Sequence, residues 1–274
     1  MTQTVLITGA SSGIGKTTAQ LFAAKGWNVA ATMRAPDRQA YFGRDVLVTR
    51  LDVKDKASIT AAVAMTAREF GGIDLLINNA GYGQYGLFEA IPPEKVREQF
   101  EVNVFGAMDV TRAALPHLRA RKSAGIVNIS SGAGLFTLPL MSLYCASKFA
   151  LEGWSEALAY ELASQNIFVK LIEPHGGVTQ TKFVERQNGD AALPGEDLTA
   201  YDAYVEKTRA AFAGFAAARS ISAEDVAEVI YKAATDGRPD LRYLVGNDTR
   251  GFIAAWDGLS NADYVEFMRG KFAP

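Results

Sequence analysis

The sequence predicts an α/β fold, a doubly wound parallel sheet covered by helices on both faces. Three observations carry this. Short runs of apolar, β-branched residues recur along the 274-residue chain. They are continuous rather than alternating, as strands buried on both faces are. Segments with helical periodicity separate them, and the glycine-rich turn "TGASSGIG" joins the first run to the first helical segment.

In chain order, strands are expected at 4–8 ("TVLIT"), 28–32 ("NVAAT"), 46–51 ("VLVTRL"), 74–78 ("DLLIN"), 125–130 ("GIVNIS"), 168–172 ("FVKLI") and 241–245 ("LRYLV"). Helices are expected near 14–25, 56–70, 94–119, 143–164 and 223–235. Alternating strands and helices imply right-handed βαβ crossovers. Residues 174–222 break the rhythm and carry Phe183, Tyr201, Tyr204, Phe212 and Phe215. An insertion of this length reads as a substrate lid, at about 175–222, rather than a bare connection. The segment 246–274, with "GFIAAW" and "YVEFM", reads as an amphipathic extension that caps the cleft or a neighbour. No internal repeat or linker composition divides the chain, so 1–274 is expected to be a single domain.

Composition narrows the function. Apolar residues make up 49% and charged residues 21%, and 28 basic residues stand against 30 acidic ones. This balance suggests neither nucleic-acid nor membrane-surface binding. The lone cysteine, Cys145, excludes an internal disulfide and a multi-thiolate metal site. No apolar run is long enough to span a membrane and no basic leader precedes the first strand, so a cytoplasmic setting is the default.

In the turn, Gly9, Gly13 and Gly15 have G-x-x-x-G-x-G spacing. Glycine permits the tight bend and a close approach of backbone to a pyrophosphate, which the helix N-terminus then attracts. At the end of the second strand a carboxylate would select NAD, and a basic residue would accommodate the NADP 2′-phosphate. There the sequence reads "MRAPDR", with Arg34 in place, Arg38 nearby and Asp37 three positions late. NADP(H) is expected over NAD(H).

Six motifs, in this order and at this spacing, resemble the short-chain dehydrogenase/reductase family. They are "TGASSGIG" at 8–15, "LDV" at 51–53, "NNAG" at 78–81, "NVFG" at 103–106, "VNISSGAG" at 127–134 and "YCASK" at 144–148. The resemblance covers roughly residues 4–182. It implies a Rossmann-type seven-stranded sheet in the order 3-2-1-4-5-6-7. It also implies a catalytic tetrad of Asn103, Ser131, Tyr144 and Lys148, with Ser131 preferred to Ser130 because it precedes the tyrosine by the family's spacing. Implied cofactor contacts begin with Gly9, Ser11, Ser12, Gly13, Ile14 and Gly15, joined by Arg34. Asp52 and Val53 then lie at the adenine, Asn79, Ala80 and Gly81 along the centre, and Tyr144 and Lys148 at the nicotinamide ribose. Where the family continues its sixth strand with Pro-Gly, this chain reads "EPHGGVTQT". Pro174, Gly176, Val178 and Thr179 are the candidates to hold the carboxamide, and whether Thr179 or Thr181 caps it stays open.

The chemistry explains the residue types. A carbonyl reduction needs a hydride, which only a cofactor supplies, and a proton, which a phenol can supply. An unperturbed phenol has a pKa of about 10, and a cation one helical turn away at i+4 pulls it down. Ser131 would hold the carbonyl oxygen, and Asn103, by the resemblance, would place a water behind the lysine. No metal is implied. His117 and Cys145 read as structural, and His175 as a surface or hydrogen-bonding loop residue. The apolar run "GAGLFTLPLMSLY" before Tyr144 forms a cleft wall in the family. With the aromatic insertion it suggests an apolar or aromatic ketone or aldehyde, or the matching alcohol. A catalytically silent NADP-binding regulator is the rival reading, and the complete tetrad argues against it. A homodimer or homotetramer is expected through the two long helices, with Phe105, Ala107, Leu158 and Leu162 on their outer faces.

Overall fold

Seven strands pair side by side, all parallel, in the order β3-β2-β1-β4-β5-β6-β7, the inner five largely buried and the outer two, β3 and β7, partly exposed. They are β1 (Thr4–Ile7), β2 (Asn28–Met33), β3 (Val46–Arg50), β4 (Leu75–Asn78), β5 (Ala124–Ile129), β6 (Ile167–Pro174) and β7 (Arg242–Val245). The computed structural model describes residues 2–36, 42, 46–175, 177–179, 196–218, 221–246 and 251–272, with backbone alone at 196–197 and 215–218. The expected strands and their order are all present.

The helices are α1 (Gly13–Ala24), α2 (Lys56–Phe70), α3 (Pro93–Phe100), α4 (Gly106–Arg119), α5 (Ser142–Ala163), α6 (Asp202–Ala218), α7 (Ala223–Thr235), α8 (Phe252–Gly258) and α9 (Asn261–Phe272). Successive residues of a strand face opposite sides, so each strand feeds two cores. Val5, Ile7, Val29, Ala31, Val127 and Ile172 meet Phe22 of α1 and Val226 and Ile230 of α7. Leu6, Ala30, Leu76, Ile126 and Val169 meet α2, α4 and α5 through Ile59, Val63, Val110, Leu118 and Leu158. Local signals set the helix ends. Asp55 accepts hydrogen bonds from the amides of Ala57 and Ser58 at 3.0 and 3.2 Å, and Gly71 closes α2 with φ of 76°.

Two expectations need correction. The single helix expected over 94–119 is α3 and α4 joined by a π-helical turn, Glu101–Phe105. The wider turn accommodates an extra residue and sends Asn103 inward, where it is 2% exposed. Of the four residues expected on outer helix faces, only Phe105 is exposed. Ala107, Leu158 and Leu162 are buried within the chain's own core. Among the described residues no helix is long and apolar enough to cross a membrane.

On the α7 side of β6 the Lys170 ammonium donates to Asp236 Oδ1 at 2.7 Å and to the Tyr243 hydroxyl at 2.9 Å, and that hydroxyl donates to Asp236 Oδ2 at 2.8 Å. Burial pushes the Asp236 carboxyl up, but these bonds, with the Arg238 amide, outweigh it and hold the group at about 2. A lowered carboxyl contributes stability that is present above its unfolded value of 3.8 and lost as pH falls toward 2. Asp236→Ala should therefore cost roughly 3–5 kcal/mol at neutral pH by leaving Lys170 unpaired. Urea unfolding from pH 6 to pH 3 checks this: the gap to the parent should narrow over the lower part of the range, and a constant gap would rule out the ion pair as its source.

Candidate active site

The site assembles where the strand order reverses, at the carboxyl ends of β1, β4, β5 and β6. Two of the sequence motifs prove to be one object. The Thr8 hydroxyl accepts from the amides of Asn79 and Ala80, both at 3.0 Å. In return the Asn79 side chain donates to the carbonyls of Thr8 and Gly9 at 2.8 and 3.1 Å. Gly9 and Gly13 take positive φ, 69° and 51°, which a side chain would oppose. A Cβ on Gly15 would stand 2.4 Å from Asn79 Nδ2 and 2.5 Å from the Gly9 carbonyl.

The turn delivers α1 with its N-terminus open. Ser12 makes no side-chain cap and the first helical turn carries no acidic residue. The first amides of a helix lack intrahelical acceptors, so Gly13, Ile14 and Gly15, with Ser11 exposed beside them, form a donor set suited to a pyrophosphate. Arg34 follows β2 directly and is exposed, while Arg38 lies outside the described residues. Asp52 receives the Lys54 amide at 3.0 Å, and Val53 packs beneath Gly106, where a Cβ would meet it at 2.7 Å. Gly81 is exposed above Asn103. These residues fit a dinucleotide along the sheet edge.

At the far end of that track stand the tyrosine and lysine. Tyr144 and Lys148 are both buried, on α5, with the ammonium 5.7 Å from the centre of the phenol ring. Lys148 Nζ donates to the Ile129 carbonyl at 2.8 Å. Burial pushes the phenol up to about 12, opposed by a hydrogen bond with the Ser131 hydroxyl. The Lys148 ammonium, expected to pull the phenol down, is not among the groups that shift it in this arrangement. Burial lowers Lys148 itself to about 8, with the Glu152 carboxylate pulling the other way. Ser131 caps the short helical turn Gly132–Gly134 through the Ala133 amide at 3.2 Å, and Ser130 points to Glu152 instead. Asn103 is committed through its side chain: it accepts from the Tyr82 amide at 3.0 Å and donates to the Tyr82 carbonyl at 2.9 Å and Ser147 Oγ at 3.1 Å. Its side chain therefore braces the π-helical turn before α4 against α5 and the segment after β4.

The end of β6 departs from expectation. His175 is buried, not a surface residue. Its ring stacks on Phe136 at 6.1 Å and 20°, and a Cβ on Gly132 would meet its Nδ1 at 2.4 Å. Pro174 ends β6 opposite Val245. Val178 bridges to Ile221, and Thr179 donates both its amide and its hydroxyl to the Ile221 carbonyl, at 2.8 and 3.2 Å. Gly176 and Thr181 lie outside the described residues.

Tyr144 packs with Ala133, Cys145, Leu138 and Met141, and Leu138 also borders a neighbouring aromatic cluster. There Phe136 packs on Phe252 of α8, ring centres 5.0 Å apart, and Phe252 in turn stacks on Phe272 of α9, with Leu135 and Phe212 around them. Leu87, Leu140 and Val205 of α6 form a second patch with Tyr85 and Tyr204.

A short chain dehydrogenase family model matches residues 3–192. The chain belongs to the short-chain dehydrogenase/reductase family. It is an oxidoreductase that interconverts CH–OH and C=O groups with NAD(P)(H). This short-chain dehydrogenase is 41% identical over 186 residues, 68% of its length, to 3-ketodihydrosphingosine reductase from Bacteroides thetaiotaomicron, covering 67% of that protein. It is 36% identical to Retinol dehydrogenase 8 from Bos taurus, covering 88% of this chain and 80% of that one. The crystal structure of a short-chain dehydrogenase from Streptomyces avermitilis is 33% identical and superimposes with a TM-score of 0.77 over 98% of this chain and 92% of that one.

The sequence reading missed the charged groups behind the dehydrogenase's tyrosine. Glu152 follows Lys148 by one turn on the buried face of α5, Glu173 lies in β6 and Arg242 in β7. The signal was available: "FVKLIEP" places two ionisable residues inside an apolar strand. The glycine turn yields a test. Gly15→Ala should weaken nucleotide binding about tenfold or more, equivalent to ~1.4 kcal/mol, in a fluorescence titration with reduced nicotinamide dinucleotide. Unchanged affinity would place the nucleotide elsewhere.

Proposed function

We propose that this dehydrogenase is an NADP(H)-preferring reductase of an apolar or aromatic ketone or aldehyde, with Tyr144 as the proton donor. The observation that carries the reading is the buried phenol of Tyr144, hydrogen-bonded to Ser131 and one turn from a buried ammonium. A bound nicotinamide supplies the hydride. Ser131 is the group within reach of both Tyr144 and a carbonyl oxygen, and its hydroxyl would stabilise charge developing there. Tyr144 holds its proton throughout the neutral range and releases it only to a base as strong as an alkoxide. The charged Lys148 then stabilises the phenolate that remains. Asn103 ties α5 to the segment after β4.

Arg34 at the end of β2 supports the cofactor preference, since a guanidinium matches a phosphate and repels no part of it. The phenylalanine cluster supports the substrate class. The names retinol dehydrogenase and 3-ketodihydrosphingosine reductase point the same way, because both molecules carry long hydrocarbon portions. We place the activity in one domain, with the segment at about 175–222 as its lid and 246–274 as its extension. A homodimer or homotetramer in the cytoplasm is the matching assembly and setting.

Tyr144→Phe should lower kcat by about 10²–10⁴, the usual contribution of a general acid, with nucleotide affinity nearly unchanged. Activity near that of the parent would remove Tyr144 as the acid. Because Lys148 carries its charge below about 8, reductive kcat/KM should be level on the acid side and fall as pH rises through that value. For the cofactor, Arg34→Glu should raise the KM for NADPH about tenfold or more while leaving that for NADH less affected. Equal changes for both would separate Arg34 from the 2′-phosphate.

A further inference from the structure

Behind Lys148, away from the substrate side, two carboxyl groups are buried against each other. Glu152 stands one turn beyond the lysine on α5 and Glu173 near the end of β6, and they are 5% and 0% exposed. Arg242 of β7 reaches both, with Nε 3.0 Å from Glu152 Oε2 and 3.5 Å from Glu173 Oε1, while its Nη2 meets Glu156 at 2.6 Å. One guanidinium thus faces three acidic groups, two of them out of water. Both Glu173 oxygens lack a hydrogen-bond donor among the described residues, while Ser130 faces Glu152. An unsatisfied buried carboxylate oxygen is costly, and two adjacent carboxylates cannot both ionise cheaply.

We propose that Glu152 and Glu173 share one proton, and that the resulting singly charged pair is a positioning device which holds Lys148 in its ammonium form. A proton on Glu173 turns an orphaned acceptor into a donor aimed at Glu152, which answers both deficits at once. The remaining negative charge stays on Glu152, bound by Arg242 and one turn from the lysine. Burial first, then the neighbouring Glu152, raises Glu173 to about 8, in keeping with this arrangement.

The pair is joined to the site by contact as well as by charge. A Cβ on Gly134, at the end of the short turn that Ser131 caps, would meet Glu152 Cγ at 2.9 Å and Ser130 Oγ at 3.0 Å. The other groups facing the pair are Lys148 and Glu156 from α5, Ser130 after β5, and Arg242 from β7. His175, two residues along from Glu173, turns toward Gly132 and Phe136, and Tyr144 lies beyond the lysine.

The inference rests on the proposed role of Lys148, and its test separates the two. Difference infrared spectroscopy of the whole protein at neutral pH, without substrate, should show the C=O stretch of a buried protonated carboxyl, absent in Glu173→Gln. No such band in the parent, or a band that survives in Glu173→Gln, overturns the shared proton whatever the enzyme turns over. In pH profiles of reductive kcat/KM, Glu152→Gln should move the alkaline limb to lower pH, seen as a loss of about threefold at pH 8 relative to pH 6. Glu173→Gln, whose amide can donate to Glu152 as the acid does, should keep the limb where the parent has it. An unmoved limb in Glu152→Gln overturns the positioning role. A Tyr144→Phe variant with full activity would sink the proposed function and leave the infrared result standing.

Discussion

A buried ammonium sets the terms for the site. Lys148 is 6% exposed, and its hydrogen bond to the Ile129 carbonyl ties α5 to the end of β5. Removing an ammonium from water is unfavourable unless acceptors and negative charge replace the hydration lost. Everything around it answers that demand: a strand-end carbonyl on one side and a carboxylate one turn along on another. The phenol that shares its helix face is buried by the same packing, which is why its proton is held so firmly.

The nucleotide end of the site obeys a different constraint, one of space. The Asn79 amide can clasp the carbonyls of Thr8 and Gly9 only because Gly15 has no side chain. Two segments about seventy residues apart in sequence therefore form a single turn, and the opening of α1 is aimed by both. That turn is cross-tied by hydrogen bonds, whereas the region around Phe136 is packed from apolar rings. In the function proposed, one end would fix the dinucleotide and the other would leave the choice of carbonyl to side-chain shape.

Much of this was legible from residues alone, for stated reasons. Strands buried on both faces leave an unbroken apolar signature, so all seven were found within a few residues. Local motifs such as "TGASSGIG" and "YCASK" carry their geometry with them. What was hidden depended on distant partners. The π turn at Glu101–Phe105 has no local marker, because its extra residue is accommodated by the packing of Asn103 against Tyr82 and Ser147. His175 reads as a surface residue until Phe136 is folded against it. Ala107, Leu158 and Leu162 look like an outer stripe only while the opposing strands are unknown. Glu152 is an ordinary helix acid until β6 meets α5, whereas Glu173 already stands out inside an apolar strand.

The sixth strand carries a base and an acid on its two sides: Lys170 toward α7, where Asp236 and Tyr243 receive it, and Glu173 toward α5, where it shares Arg242 with the Glu152 carboxylate. Arg242 and Tyr243 are consecutive residues on the outermost strand, so they too point to opposite sides. Sliding β7 by one place would bring the guanidinium round to the lysine and leave the acids facing a phenol. Such an alignment is repelled rather than merely less well packed. The last strand therefore has one permitted seating, enforced by sign as much as by shape.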